Sequence, residues 1–313
     1  MRVLVTGAAG FIGSHVCSRL AERNDVIGID DLSTGDTSNL DGIDLEFIHG
    51  SILDDDALSV ASADVDSIVH LAAIPSVPRS IDAPAASHEA IATGTLRVLE
   101  AARHLDDPLI VMASSSSVYG ANPELPKHEA MTPQPMSPYA AAKLAAEQYC
   151  VAWSHSFGLR TLPLRFFNVY GPRQAPGHAY AAVIPAFVAA ALAGEPIPVN
   201  GTGEQSRDFT YVRTVVDVID DALERGVSSP GPVNLAFGTS TTMLDVIDRL
   251  ERSLGRSLER RHAPDRPGDV PHSQADHSLL DSLFPAIVPT PLDDGLRETV
   301  EWMTAHLDVT LGR

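Results

Sequence analysis

Three glycines, Gly7, Gly10 and Gly13, follow the β-branched run Arg2–Thr6 and open an amphipathic stretch that starts at Ile12. That context narrows what the chain can fold into. The first glycine permits a tight strand-to-helix turn, the second lets backbone approach a pyrophosphate, and the third lets helix lie on strand. The amides of the helix N-terminus then face the phosphates. Cofactor contacts are therefore expected from Gly7, Gly10, Phe11, Ile12 and Gly13. The run Ile27-Gly28-Ile29 ends in Asp30 and Asp31, with Asp30 seventeen residues beyond Gly13. A carboxylate at the end of a second strand accepts both hydroxyls of a ribose and repels a 2′-phosphate, which favours NAD over NADP. An aspartate there also caps turns, and the preference for one cofactor over the other separates the two readings.

Short β-branched runs alternate with helical periodicity through the first half of the chain, the mark of a parallel sheet with crossover helices. Strands are expected at 2–6, 25–30, 45–49, 67–70, 109–114 and 160–165, and helices at 12–22, 93–104 and 139–157. Beyond about Asn168 the pattern loosens into Pro/Gly-rich connections around helices near 181–193, 215–225 and 242–254. The expected fold is α/β: a doubly wound parallel sheet of Rossmann type over residues 1–167, with a smaller C-terminal α/β lobe over 168–313. Some elements of that lobe are expected to return to the main sheet.

Charge decides which partners are plausible. With 22 Lys+Arg against 41 Asp+Glu the formal charge is −19, which repels nucleic acid and anionic membranes and points to a small-molecule partner. There is no signal-peptide pattern before Arg2 and no apolar run of roughly 18 residues. Cys17 and Cys150 lack metal-ligand spacing, so no metal is expected and both are read as reduced thiols of a cytoplasmic protein.

Lysine occurs only at 127 and 143. Lys143 lies four residues after Tyr139, so on a helix both project from one face. A phenol near pKa 10 is a poor base at neutral pH, and an adjacent ammonium helps to form the phenolate. A serine run, Ser114 to Ser117, leads into Val118-Tyr119-Gly120 after a buried strand.

With the fingerprint, the serine turn and the Tyr-Lys pair in this order, nearly the whole chain resembles the extended short-chain dehydrogenases/reductases. Within them it is most similar to the NAD-dependent sugar epimerase/dehydratase group, and there to UDP-glucose 4-epimerases and their N-acetylhexosamine and hexuronate relatives. The resemblance implies that Tyr139 is the general base and acid at the sugar 4-hydroxyl. Lys143 would hold the nicotinamide ribose, and Ser115 would bridge the sugar 4-oxygen to Tyr139. Ser116 and Ser117 would add sugar contacts. Leu71, Ala72 and Ala73 would line the cofactor, and Ser51-Ile52 stands where the group often has Asp-Ile against the adenine. Asn168, Arg207 and Arg266 would bind the diphosphate, with Asp269 near the uridine ribose and Val199, Tyr211 and Ser273 completing the substrate set. Homodimerisation through two long helices is expected on the same ground.

The fate of the bound 4-ketose separates the reactions of this group. Dehydratases that resemble this chain carry Asp-Glu before Val-Tyr-Gly, and uronate decarboxylases tend to carry a glutamate there. Here the places hold Ser116-Ser117. Without a second acid, the expected course is oxidation at C4, rotation of the keto sugar and return of the hydride, which is 4-epimerisation. Dehydration, decarboxylation and reduction remain the alternatives. A small residue at 273 leaves room for N-acetyl or carboxylate substituents beside UDP-glucose.

Overall fold

The computed structural model describes residues 1–175, 182–264 and 271–306. Its strands, in chain order, are β1 (Arg2–Thr6), β2 (Asp25–Asp30), β3 (Glu46–His49), β4 (Ser67–His70), β5 (Leu109–Ser115), β6 (Arg160–Phe166), β7 (Val169–Tyr170), β8 (Ile197–Asn200), β9 (Ser206–Arg207), β10 (Thr210–Tyr211), β11 (Val233–Leu235), β12 (Thr241–Thr242) and β13 (Arg260–Ala263). The helices are α1 (Phe11–Leu20), α2 (Asp55–Ala61), α3 (Val77–Asp82), α4 (Pro84–His88), α5 (Gly94–Ala102), α6 (Pro138–Phe157), α7 (Val183–Ala193), α8 (Val212–Arg225), α9 (Met243–Leu254), α10 (Ser278–Leu283) and α11 (Leu292–Ala305).

Seven strands form one parallel sheet in the order β11-β6-β5-β4-β1-β2-β3. The order reverses between β1 and β4, and in such sheets ligands bind in the crevice beyond the carboxyl ends at that point. Both faces are covered. Val16, Cys17 and Leu20 of α1 join Val215, Val218 and Ile219 of α8 on one side. Val98 and Leu99 of α5 join Ala142, Ala146 and Cys150 of α6 on the other. A third apolar cluster, with Phe187, Val199, Val246, Ile247 and Val300, is built by β8, α7, α9 and α11 from the C-terminal half. One strand of that half, β11, pairs with β6 at the edge of the main sheet.

Local chemistry sets the helix that carries Tyr139. Ser137 accepts the Ala140 amide at 3.1 Å, Pro138 occupies the first turn, and Gly158 closes the helix with φ 72°. A serine cap of this kind contributes about 1 kcal/mol. The helix expected at 93–104 is α5, Gly94–Ala102, and residues Glu89–Thr93 form a π-turn before it. Periodicity near 3.6 does not report a single widened turn, because the apolar positions on either side keep their face.

Candidate active site

The glycine turn sits at the switch point. Gly7 has φ 71°, and a Cβ there would lie 2.9 Å from the Ala72 amide nitrogen. Gly10 is the N-cap of α1, with no side chain over the helix end. At Gly13 a Cβ would stand 2.0 Å from the Gly7 carbonyl oxygen, so helix and turn touch only because that position is bare. These residues leave the unpaired amides of the α1 N-terminus facing the crevice, which fits a pyrophosphate.

Asp30, at the end of β2, is buried and accepts the Ala9 amide at 3.0 Å on one oxygen and the Leu32 amide at 2.8 Å on the other. It therefore caps the turn, but a carboxylate has about four acceptor sites and two remain for ribose hydroxyls. Burial pushes its pKa up and these two amides oppose the shift. Asp31 is exposed and accepts the Ser33 amide at 2.9 Å. Asp30→Ala should weaken NAD binding by about tenfold or more. NADP binding should fall less, and fluorescence titration with NADH and NADPH in parallel checks both.

Ser51 and Ile52 line the next turn differently from expectation. The Ser51 hydroxyl accepts the Leu53 amide at 3.2 Å, and the Ile52 side chain is buried against α5, where a Cβ on Gly94 would meet it at 2.5 Å. Packing against α5 takes the isoleucine side chain.

Tyr139, Lys143 and Ser115 come together across α6 and β5. The Ser115 hydroxyl beside Tyr139 opposes the upward push of burial on the phenol. The Ser115 oxygen accepts the Ser117 hydroxyl at 2.9 Å and the Ser117 amide at 3.2 Å. Its lone pairs are thus engaged and its proton is directed at Tyr139. Lys143 is buried and donates to the Ala113 carbonyl at 2.7 Å, and burial lowers its pKa to about 8. Burial holds the Tyr139 phenol up, and the serine contact opposes it. Ser116 and Ser117 form the short turn after β5, half-buried beside them.

A second cluster gathers where β7, β9 and the segment after residue 270 meet. Asn168, at φ 24°, donates from Nδ2 to the Asp208 carbonyl at 3.2 Å. Asp208 is fully buried, accepting the Ala275 amide at 3.1 Å and the Thr239 hydroxyl at 2.9 Å, and burial raises its pKa. Its neighbour Arg207 donates to the Ser206 carbonyl at 2.8 Å and to the Pro271 carbonyl at 3.3 Å. The Ser273 amide reaches the same Ser206 carbonyl at 3.1 Å. Asn168, Arg207 and Ser273 are therefore neighbours, although up to 105 positions separate them in sequence. Arg266 and Asp269 lie outside the described residues.

Two expected substrate residues are placed elsewhere. Val199 is fully buried in the apolar cluster of the C-terminal half, filling space that a Cβ on Gly203 would contest at 3.0 Å. Tyr211 is buried with its hydroxyl donated to Glu298 of α11 at 2.7 Å and its ring tilted against Tyr170. Core packing claims both side chains. Conversely, Gln174 carried no signal in the sequence, and Asp208 only its place beside Arg207 in a stretch that resembles a diphosphate-binding segment. Gln174 follows β7, donates to the Val169 carbonyl at 3.2 Å and buries its Oε1 without a partner. A lone polar residue in a loop announces such a place only once the chain is folded. Among the described residues no cluster of His, Cys, Asp or Glu could hold a metal ion, and no helix is long and apolar enough to cross a membrane.

Comparison with known proteins agrees with this geometry. The Epimerase profile, described as the NAD dependent epimerase/dehydratase family, matches residues 3–236. A UDP-glucose 4-epimerase of Mycolicibacterium smegmatis is 36% identical over 315 residues, covering 96% of this chain and 98% of its own. The structure of a UDP-N-acetylglucosamine 4-epimerase from Methanobrevibacter ruminantium M1, in complex with UDP-N-acetylmuramic acid, has a TM-score of 0.93 and 37% identity, covering 97% of this chain and 98% of its own. That of a UDP-glucuronic acid 4-epimerase from Bacillus cereus, in complex with UDP-glucuronic acid and NAD, has a TM-score of 0.89 and 33% identity, covering 97% and 99%. With the glycine turn at the switch point, the Ser-Tyr-Lys cluster beside it and a family match over most of its length, the chain belongs to the NAD-dependent epimerase/dehydratase family.

Proposed function

We propose that the chain is an NAD-dependent 4-epimerase of a UDP-sugar, an isomerase. The observation that carries this reading is the chemistry around Tyr139: the turn beside it offers the hydroxyls of Ser115, Ser116 and Ser117 and no carboxylate. Glu147, which reaches Ser114 at 2.7 Å, is fully buried and already held by Arg165 at 2.7 and 2.9 Å. Dehydration needs a second acid and base at C5 and C6, and among the described residues the turn beside Tyr139 supplies neither.

In this reading Tyr139 takes the proton of the sugar 4-hydroxyl and later returns it, while Ser115 holds the oxygen in line. Bound NAD would supply the reversible hydride chemistry at C4. Gly7, Gly10, Gly13, Asp30 and the 71–73 backbone hold that cofactor, and Lys143 has two ammonium protons left for its ribose after the bond to Ala113. Asn168 and Arg207 grip the diphosphate away from the reacting carbon, which lets the keto sugar turn over while its nucleotide stays fixed. Residues 1–167 hold the cofactor and the catalytic cluster, and 168–313 chiefly the nucleotide sugar.

UDP-glucose, UDP-N-acetylglucosamine and UDP-glucuronate are the candidate substrates, matching what the relatives are named for. Ser273, beside Arg207, leaves room for a substituent on the sugar. Incubation with each UDP-sugar, with products resolved by chromatography and mass, tests the reading. An isobaric C4 epimer is expected; loss of water or of carbon dioxide would replace epimerisation by dehydration or decarboxylation. Ser273→Tyr should lower turnover of UDP-N-acetylglucosamine relative to UDP-glucose by more than about tenfold. Equal activity of the variant on both sugars would remove Ser273 from the pocket.

The reading includes a homodimer and a cytoplasmic location. Phe157, half-exposed at the end of α6 beneath the Arg103 guanidinium, and the neighbouring Trp153 support helix pairing with a second copy. Two buried free cysteines fit a reducing compartment.

A further inference from the structure

His70 ends β4 opposite Thr6 and is buried, yet it takes no part in the chemistry above. Its Nδ1 lies 2.7 Å from the Thr6 hydroxyl and its Nε2 lies 3.0 Å from the Thr95 hydroxyl. The directions of these bonds follow from counting protons. A threonine hydroxyl has one proton to give. Thr95 gives its proton to the Ile91 carbonyl, 2.6 Å away in the π-turn, so it can only accept from His70. Nε2 therefore carries the proton and Nδ1 is bare. The bare nitrogen takes the proton of Thr6, whose oxygen is then free to accept the Leu71 amide at 3.2 Å and the Ala72 amide at 3.1 Å. One polarity runs through the whole chain, from the 71–72 backbone to the π-turn before α5. Burial, with the charge of Lys143 adding to it, lowers the ring pKa to about 3, in keeping with a neutral imidazole.

The Ala72 amide at the head of this chain belongs to the Leu71–Ala72 peptide against which Gly7 packs. We propose that His70 is a positioning residue that fixes the Leu71–Ala72 backbone against the Gly7 turn and thereby sets how tightly the cofactor is held. This rests on the reading that the Gly7 turn binds NAD. Without an acceptor at Nδ1, the Thr6 hydroxyl must turn to find another partner for its proton, which draws its lone pairs away from the Ala72 amide, while the Leu71 amide keeps the Thr6 carbonyl at 3.2 Å. The Thr95 end is different, since Thr95 keeps its bond to Ile91 whether or not Nε2 is present.

The two ends can be separated by substitution. His70→Asn places Oδ1 where Nδ1 stands, retaining the acceptor for Thr6 while losing reach to Thr95 and leaving a gap. His70→Phe keeps the ring volume and loses both bonds. NADH affinity by fluorescence titration and thermal midpoints are measured for wild type, both variants and Gly13→Ala. Expected is an affinity within about threefold of wild type for His70→Asn and weaker by about tenfold or more for His70→Phe. The midpoint should fall at least as far for His70→Asn. Affinities that simply follow the midpoints, or a His70→Phe variant that binds as wild type, would overturn the proposal. If Gly13→Ala also binds as wild type, the cofactor reading falls and the proposal with it. Independently of folding in any variant, nitrogen-15 spectra of the wild type should show His70 protonated at Nε2 and bare at Nδ1 down to pH 5; the other tautomer or an imidazolium would overturn it.

Discussion

Tyr139→Phe is expected to lower kcat by about 10²–10⁴-fold while leaving the affinities for NADH and the UDP-sugar within a few-fold of wild type. The phenol oxygen is removed and the ring remains, half-buried at the start of α6 and packed beside the sheet-covering cluster of α5 and α6. Ser115 loses an acceptor but keeps its two donors from Ser117. The fold should therefore survive, and the loss should fall on the transition state alone. The pH dependence gives a second reading of the same variant. Burial holds the Tyr139 phenol above its ordinary range before ligands bind, with Ser115 opposing that push. Wild-type kcat/KM should accordingly rise with pH as the phenolate forms, and the residual rate of the variant should lack that rise. Steady-state rates between pH 6 and pH 9 measure both. A variant that retains the wild-type rate would assign the proton transfer to another group.

Arg165→Met should be the most destabilising single change outside the backbone turns. Glu147 is 0% exposed and Arg165 1% exposed, and the carboxylate is held by the guanidinium at 2.7 and 2.9 Å and by the Ser114 hydroxyl at 2.7 Å. The guanidinium also stacks 4.6 Å above the Tyr119 ring, whose hydroxyl donates to Asn234 of β11 at 2.6 Å. Removing one partner leaves a charge in the interior, a loss of about 3–5 kcal/mol. That is a large share of the roughly 5–15 kcal/mol by which a domain is stable. Replacing both residues, Glu147→Leu with Arg165→Met, should recover most of it, because the desolvation of two charges is then removed as well. Urea midpoints for the wild type, the single variant and the pair measure the difference. A single variant as stable as the pair would mean that the interior around Glu147 is wetter than its burial implies.

Much of this protein is legible without coordinates, and the legible parts share a cause. The glycine turn, Asp30 and the Tyr139–Lys143 pair are encoded by residues close in sequence, at spacings that a strand, a tight turn or a helix converts directly into geometry. The six strands expected in the first half lie within one residue of their observed bounds, since buried parallel strands read as apolar runs. Val199 and Tyr211 went the other way. Their resemblance to substrate-binding positions gave no account of how much apolar volume β8, α7, α9 and α11 would have to fill, and packing took both side chains.

What the sequence by itself determined is therefore local: the doubly wound class, the nucleotide-binding end, the choice of NAD and the placing of Tyr139 and Lys143 on one face of one helix. Only the tertiary structure decided the rest. It brought Asn168 to Arg207 and Ser273 by bonds to the Asp208 and Ser206 carbonyls, it paired Glu147 with Arg165 across α6 and β6, and it aligned the bonds from Ala72 through Thr6 and His70 to Thr95. Each of these arrangements joins residues from different elements. Their partners are selected by which faces meet once apolar surface is buried, and that is a property of the whole fold.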